Sequence, residues 1–313
     1  MGDAILFEGF YGLFFGIGLF LYSINIMSEK IQQAFGYSLK SFLGKTARGK
    51  WSSILTGTAV TAAIQSSTAV TVMLVSLAES GIVSLYQATG IIMGANMGTT
   101  VTSLLIAFDF SALAPFFIFF GAFVKLLCNK ERIRAVGEVL LAFGMLFAGL
   151  EAMSGAFSSL RDNPVFINMI ISASGKVGGI LSGILMTVII QSSSATVGIL
   201  QGLAAQGLVG LSDAIYIVLG QNIGTVLTSL LASVGRNEKA KHIGKIHLIF
   251  NIAGCAFFLP LCSFLPVGEW LSGLGKPSLA VSVFHIAFNI FNTVIMLPFY
   301  DRLAKKKEPL RRQ

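Results

Sequence analysis

Charge is what this chain has least of. Asp, Glu, Lys and Arg make up 12% of its 313 residues, against about 25% in a soluble domain. So few charges cannot cover a globule with polar surface, which excludes a soluble body. Cysteine is nearly absent as well. Cys128, Cys255 and Cys262 lie in or beside apolar segments without ligand spacing, which gives no disulfide framework and leaves buried thiols. No basic stretch precedes the first apolar run, so no cleavable signal peptide is expected. Acidic side chains are missing where proton carriers would place them: Glu8, Glu79, Glu138, Glu151 and Asp213 all fall towards segment ends.

What is present points to a membrane. Hydrophobic residues make up 54% of the chain, with 34 glycines and a mean hydropathy of +0.80. The net charge of +8 sits in short loops and the tail, between apolar segments. That placement argues for a lipid bilayer as the surroundings and against nucleic acid as a partner.

Inside this apolar background one polar stretch occurs twice. Ile64-Gln65-Ser66-Ser67-Thr68-Ala69 returns as Ile190-Gln191-Ser192-Ser193-Ser194-Ala195, and Gly94-Ala95-Asn96-Met97-Gly98-Thr99 returns as Gly220-Gln221-Asn222-Ile223-Gly224-Thr225. The offset is constant at about 126 residues, and residues 50–108 match 176–234 at about 26 of about 59 positions, so the chain contains an internal duplication. Length alone would allow two domains. The duplication instead indicates a single membrane domain over 1–313, with a first repeat over 5–130 and a second over 131–264. An extra span over 279–299 and a basic tail over 301–313 complete it.

In chain order, Ile5–Met27 is long enough to cross about 30 Å of hydrocarbon, with Glu8 and Asn25 near its two ends. Ser28–Lys50 reads as an interfacial amphipathic helix. Trp51–Ser80 divides into two apolar halves too short to span, with Gln-Ser-Ser between them: a re-entrant helical hairpin. A continuous helix with a serine packing face is the blander alternative, and the second such interruption in Val177–Gln206 argues against it. Leu85–Phe108 and Leu208–Val234 are long enough to cross, yet glycines and Asn break each near its middle, which predicts discontinuous helices. Ala112–Leu127, Ala135–Met153, Ile243–Phe264 and Leu279–Phe299 are further spans, and Asp162-Asn163-Pro164 marks a turn. The fold expected is an all-α polytopic membrane protein with about seven crossings. With the amino terminus outside, Ser28–Lys50, Cys128–Arg134, Gly235–Lys245 and the tail all become cytoplasmic, as the positive-inside rule requires. Three crossings separate equivalent points of the copies, so the repeats are inverted and their hairpins enter from opposite sides.

Two opposed re-entrant tips near the midplane are the arrangement of secondary transporters. At each tip a new helix starts just after Gln-Ser-Ser, with Ser67 or Thr68, and Ser193 or Ser194, as N-cap types. Free N–H groups and the positive helix end then favour an anion, and hydroxyls add donors for a tetrahedral oxyanion. Oxygens of Gln65, Ser66, Gln191 and Ser192, with Asn96, Thr99, Thr100, Asn222 and Thr225 at the breaks, form a hard-oxygen set suited to a small cation. With no mid-span carboxylate, sodium is favoured over the proton as coupling ion. His247 and His285 are the remaining proton carriers and read better as packing or hydrogen-bonding residues.

Paired Q-S-S-[ST] motifs, each followed by G-x-N-x-G-T, resemble the type II sodium–phosphate cotransporters and their bacterial relatives over nearly the whole chain. The resemblance implies sodium-driven uptake of inorganic phosphate across the cell (inner) membrane, with no cofactor beyond Na⁺. It also implies that Gln65, Ser66, Ser67 and Thr68, with Gln191, Ser192, Ser193 and Ser194, line the substrate and sodium sites. Thr68 departs from Ser194 but keeps the hydroxyl. Some relatives carry an extra soluble carboxy-terminal domain, for which only a short basic tail is seen here. A homodimer is left open. Rival readings are a sulfate or dicarboxylate carrier, a channel, and an intramembrane hydrolase using Ser66 or Ser192 with a histidine. The last has no acid to orient the base and no use for a duplicated serine.

Overall fold

The structure is a computed structural model that describes residues 2–304, with side chains from residue 7 onward. Its first half runs α1 (Gly2–Thr46), α2 (Lys50–Ile64), α3 (Ser67–Glu79), α4 (Leu85–Ala107) and α5 (Ala114–Leu127), the last preceded by a 3-10 turn at Ser111–Leu113. The second half repeats the order with α6 (Glu131–Leu160), α7 (Pro164–Ser172), α8 (Gly175–Ile190), α9 (Ser193–Ala205), α10 (Leu211–Gly224), α11 (Val226–Ser233) and α12 (Glu238–Phe264). Short α13 (Val267–Ser272) and long α14 (Pro277–Met296) follow. The described residues form no strand, and six helices are long and apolar enough to cross a bilayer. The expected crossing at Ala112–Leu127 is the shorter apolar stretch Ser111–Leu127, about 25 Å of helix. The chain is an all-α polytopic membrane protein. Of the tail expected over 301–313, only 301–304 lie within the described residues.

Three elements differ from expectation. The span and the interfacial helix foreseen in α1 form one 45-residue helix, because no proline interrupts the junction between them. In the second copy, Pro164 does separate them. It sits in the first turn of α7, the Asn163 side chain accepts from the Phe166 amide at 3.0 Å, and the axis of α7 is bent by 98° against α8. The third difference is in the expected breaks: α4 is continuous over 23 residues. Its mate is divided into α10 and α11 only at Thr225, whose backbone remains right-handed helical. The glycines serve packing instead. A methyl added at Gly94 would strike the Ile54 carbonyl, and one at Gly57 the Ile91 carbonyl. The same collisions recur between Gly220 and Ile180 and between Gly183 and Ile217. Glycine lets α2 lie backbone-to-backbone on α4, and α8 on α10, as small residues do between membrane helices.

The two copies run in opposite directions. Along α1 and its counterpart α6, Gly9 meets Leu160, Gly16 meets Met153 and Lys30 pairs with Glu138 at 3.3 Å, so the helices are antiparallel. Contacts at the hairpin bases agree. At the first, Lys50 Nζ donates to the Leu297 carbonyl (2.9 Å) and Glu79 pairs with Arg236 (2.8 Å). At the second, the Gly175 amide donates to Asp213 Oδ1 at 2.8 Å, at the start of α10. The first hairpin is thus rooted at the face that also holds Lys30, Lys125 and Arg236, and the second at the opposite face. Large apolar side chains such as Phe14, Phe116, Phe119, Phe123 and Leu185 are exposed around the outside, a surface suited to lipid.

Candidate functional site

Each re-entrant tip is built by the same four residues. Helix α2 ends where Gln65 turns left-handed (φ 61°), and α8 ends at Gln191 (φ 57°). Ser66 and Ser192 are then extended (φ −148° and −146°), and each Oγ accepts the amide three residues on, Ala69 and Ala195, at 3.2 Å. The N-caps are therefore Ser66 and Ser192, one or two residues earlier than the expected Ser67 or Thr68 and Ser193 or Ser194. A two-residue link leaves room for a single extended residue between the helices. The Ala69 and Val70 amides are occupied by Ser66, and those of Ala195 and Thr196 by Ser192. The Ser67, Thr68, Ser193 and Ser194 N–H groups lie ahead of each ladder and are the free donors of a helix start.

Both tips line one cavity of about 260 Å³. Its walls are Gln65, Ser66, Ser67 and Thr68 from the first tip, Gln191, Ser192, Ser193 and Ser194 with Ile190 from the second, and Ile24, Asn25 and Ser28 from α1. All eight motif residues named from sequence are thus brought together. Ile24, Asn25 and Ser28 were missed as lining residues. The signal available was a polar pair spaced three apart on one face of an apolar helix. No Lys or Arg is among the lining residues, so the positive character comes from N–H groups and hydroxyls. Gln65 Nε2 donates to the Ala62 carbonyl, while its buried Oε1 has no partner among the described residues.

The proposed break residues lie outside this lining. Asn96, Thr99, Thr100, Asn222 and Thr225 are buried in α4 and at the α10–α11 junction. Their hydrogens go to their own helices: Asn96 to Ile92 O (3.0 Å), Asn222 to Val218 O (2.7 Å), Thr99 to Ala95 O (3.0 Å), Thr225 to Gln221 O (2.9 Å) and Thr100 to Met97 O (2.7 Å). Their oxygens keep lone pairs that can still accept. His247 and His285 are buried in α12 and α14, also outside the cavity, and His247 Nδ1 lies 2.9 Å from Ser229 Oγ.

Helical hairpins rooted at opposite faces, meeting tip to tip around a polar cavity inside a membrane bundle, have the architecture of inverted-repeat transporters. Comparison with known families agrees: residues 19–155 and 167–288 match the profile of the Na+/Pi-cotransporter family, and the chain belongs to that family. It is 28% identical over 291 residues to the "Putative inorganic phosphate export protein YjbB" of Escherichia coli (strain K12), covering 92% of this chain and 53% of that protein. The chain thus spans about half the length of this relative. The uncharacterized protein YqeW of Bacillus subtilis is 28% identical over 242 residues, 76% of this chain and 77% of its own. The sodium-dependent phosphate transport protein 2A of Mus musculus is 31% identical over 139 residues, 39% of this chain and 21% of its own. No solved structure matches.

Proposed function

We propose that this chain carries inorganic phosphate across the cell (inner) membrane by sodium-coupled alternating access, with the amino terminus outside and the carboxy terminus cytoplasmic. The observation that carries the reading is the single cavity lined by both Gln-Ser-Ser tips. Two helix starts and their hydroxyls offer a tetrahedral oxyanion donors from opposite sides. The Gln65 Oε1, an acceptor without a donor, suits a bound cation rather than the anion. Family membership and the named functions of YjbB and transport protein 2A support phosphate as the cargo. Neither histidine lines the cavity that holds the serines, which favours transport over the hydrolase reading. YjbB is named as an exporter, so efflux is a second direction to measure; a coupled carrier runs whichever way the combined gradients drive it.

The test is labelled phosphate flux in liposomes containing the purified protein. Saturable uptake driven by a sodium gradient, competed by arsenate more than by sulfate or citrate, is the expected result. Equal flux in sodium and in choline would overturn sodium coupling, and flux of sulfate or citrate alone would overturn the substrate.

A further inference from the structure

The cavity obeys the repeat symmetry at its tips and breaks it at its wall. All eight residues of the two polar motifs have their mates in the lining; Ile190 lacks its mate Ile64, and Ile24, Asn25 and Ser28 of α1 lack theirs. Displaced by the repeat offset, their mates are Leu150, Glu151 and Ser154 on α6. The local setting is the same in both helices: Ile24 and Leu150 are buried (4% and 9% exposed), and the next residue in each, Asn25 or Glu151, is exposed. The α1–α6 crossing sets the level. Phe20, fully buried, lies against Gly149 and Gly198, and Gly16 lies against Met153. Asn25 therefore stands on the basic-face side of that crossing and Glu151 on the other. Glu151 was expected near the end of a span at Met153. Helix α6 instead continues to Leu160, which leaves a carboxylate well inside an apolar segment, where ionisable groups are costly and mark ion or substrate paths. A mid-span acid is thus present, and the choice of sodium over the proton rests on the family rather than on the lack of one.

We infer that Glu151 and Ser154 line the same tip cavity when it opens to the face opposite the basic one, taking the places that Asn25 and Ser28 hold here, and that Glu151 there serves as a carboxylate ligand for the coupling cation. This rests on the alternating-access reading above. In an inverted repeat, exchanging the conformations of the two halves carries each wall residue to its mate's position. The exchange swaps a neutral amide for a negative carboxylate beside an anion site. A bare carboxylate there would repel the substrate, whereas a carboxylate holding a monovalent cation neutralises itself and draws the anion in. Cation binding is consequently stronger at the face bearing Glu151, and the amide of Asn25 favours release at the basic face. The two faces differ in cation affinity although the tips are equivalent.

The test uses the full chain with its three cysteines replaced, reconstituted in one orientation. Cysteines at Asn25, Ser28 and Ser154 are probed with an impermeant thiol reagent. The expected result is that Ser154→Cys reacts from the opposite face to Asn25→Cys and Ser28→Cys, and that sodium plus phosphate slows all three. Glu151→Gln raises the sodium concentration for half-maximal flux about tenfold or more at its own face and leaves the other face unchanged, while Glu151→Asp keeps most of the activation. Reaction of Ser154→Cys from the same face as Asn25→Cys, or a Glu151→Gln shift equal at both faces, overturns the inference while wild-type sodium-driven flux stands. Absence of that wild-type flux overturns the transport reading and this inference with it.

Discussion

At the scale of the residue, the tip serines divide into two kinds. Ser66, Ser67, Ser192 and Ser193 all line the cavity, but Ser66 and Ser192 spend their oxygens on the caps, whereas Ser67 and Ser193 do not serve as caps. Ser67→Ala and Ser193→Ala should each weaken phosphate affinity by roughly 10- to 150-fold, the loss of one hydrogen bond to a charged group. Ser66→Ala and Ser192→Ala should instead cost about 1 kcal/mol of helix start each, seen as lower thermal stability with a smaller affinity change. Calorimetric phosphate titration beside thermal unfolding separates the two, and the same ranking in both assays would contradict the division. Asn96 and Asn222 each close an i−4 bond on their own helix. Asn96→Leu and Asn222→Leu should weaken sodium activation more than phosphate binding at saturating sodium. A defect confined to phosphate would reassign them to the anion.

At the scale of the element, glycine decides the packing. The polar and glycine residues of Leu85–Ala107 read as a break in isolation, because Gly favours interrupted helices. The helix stays whole because α2 lies against it, with the Ile54 carbonyl at Gly94 and the Thr58 carbonyl at Gly98 taking the space of a side chain. Gly94→Ala and Gly220→Ala put a methyl into Ile54 and Ile180 backbone respectively. Overpacking of this kind costs about 1–3 kcal/mol, and both variants should lose thermal stability by comparable amounts. Gly155→Ala, where an added methyl meets nothing within 4 Å, should be neutral or mildly stabilising. A loss at Gly155 equal to that at Gly94 would remove the packing explanation.

At the scale of the whole molecule, charge governs both orientation and coupling. The basic face gathers Lys30, Lys125 and Arg236, and in the proposed orientation it is the cytoplasmic one, as the positive-inside rule requires. Cysteines at Lys130 and Arg236 should label from the cytoplasm and one at Glu269 from outside; labelling of Lys130 and Arg236 from opposite faces would end the arrangement. Two helix starts offset roughly one negative charge between them, and the lining adds no Lys or Arg. On the proposed function, a phosphate dianion would be left short of about one positive charge in a poorly solvated site, which a sodium ion would supply. Sodium and phosphate should therefore each raise the other's affinity by the same factor. Calorimetry giving equal phosphate affinity in sodium and in choline at constant ionic strength would sink the coupling.

By itself the sequence determined the solvent, the duplication, the hairpins and the eight tip residues. These follow from local chemistry: apolar runs need lipid, halves too short to span must turn back, and polar residues at that depth need a purpose. It also carried the opposed directions of the copies, through the count of crossings between equivalent points. Only the tertiary structure decided that α4 runs unbroken, since a neighbour's backbone is what makes its glycines useful. The unequal cavity wall was likewise out of reach of the sequence. Asn25 and Glu151 are equivalent along the chain, and only the way the halves settle against each other puts one beside the tips and leaves the other outside.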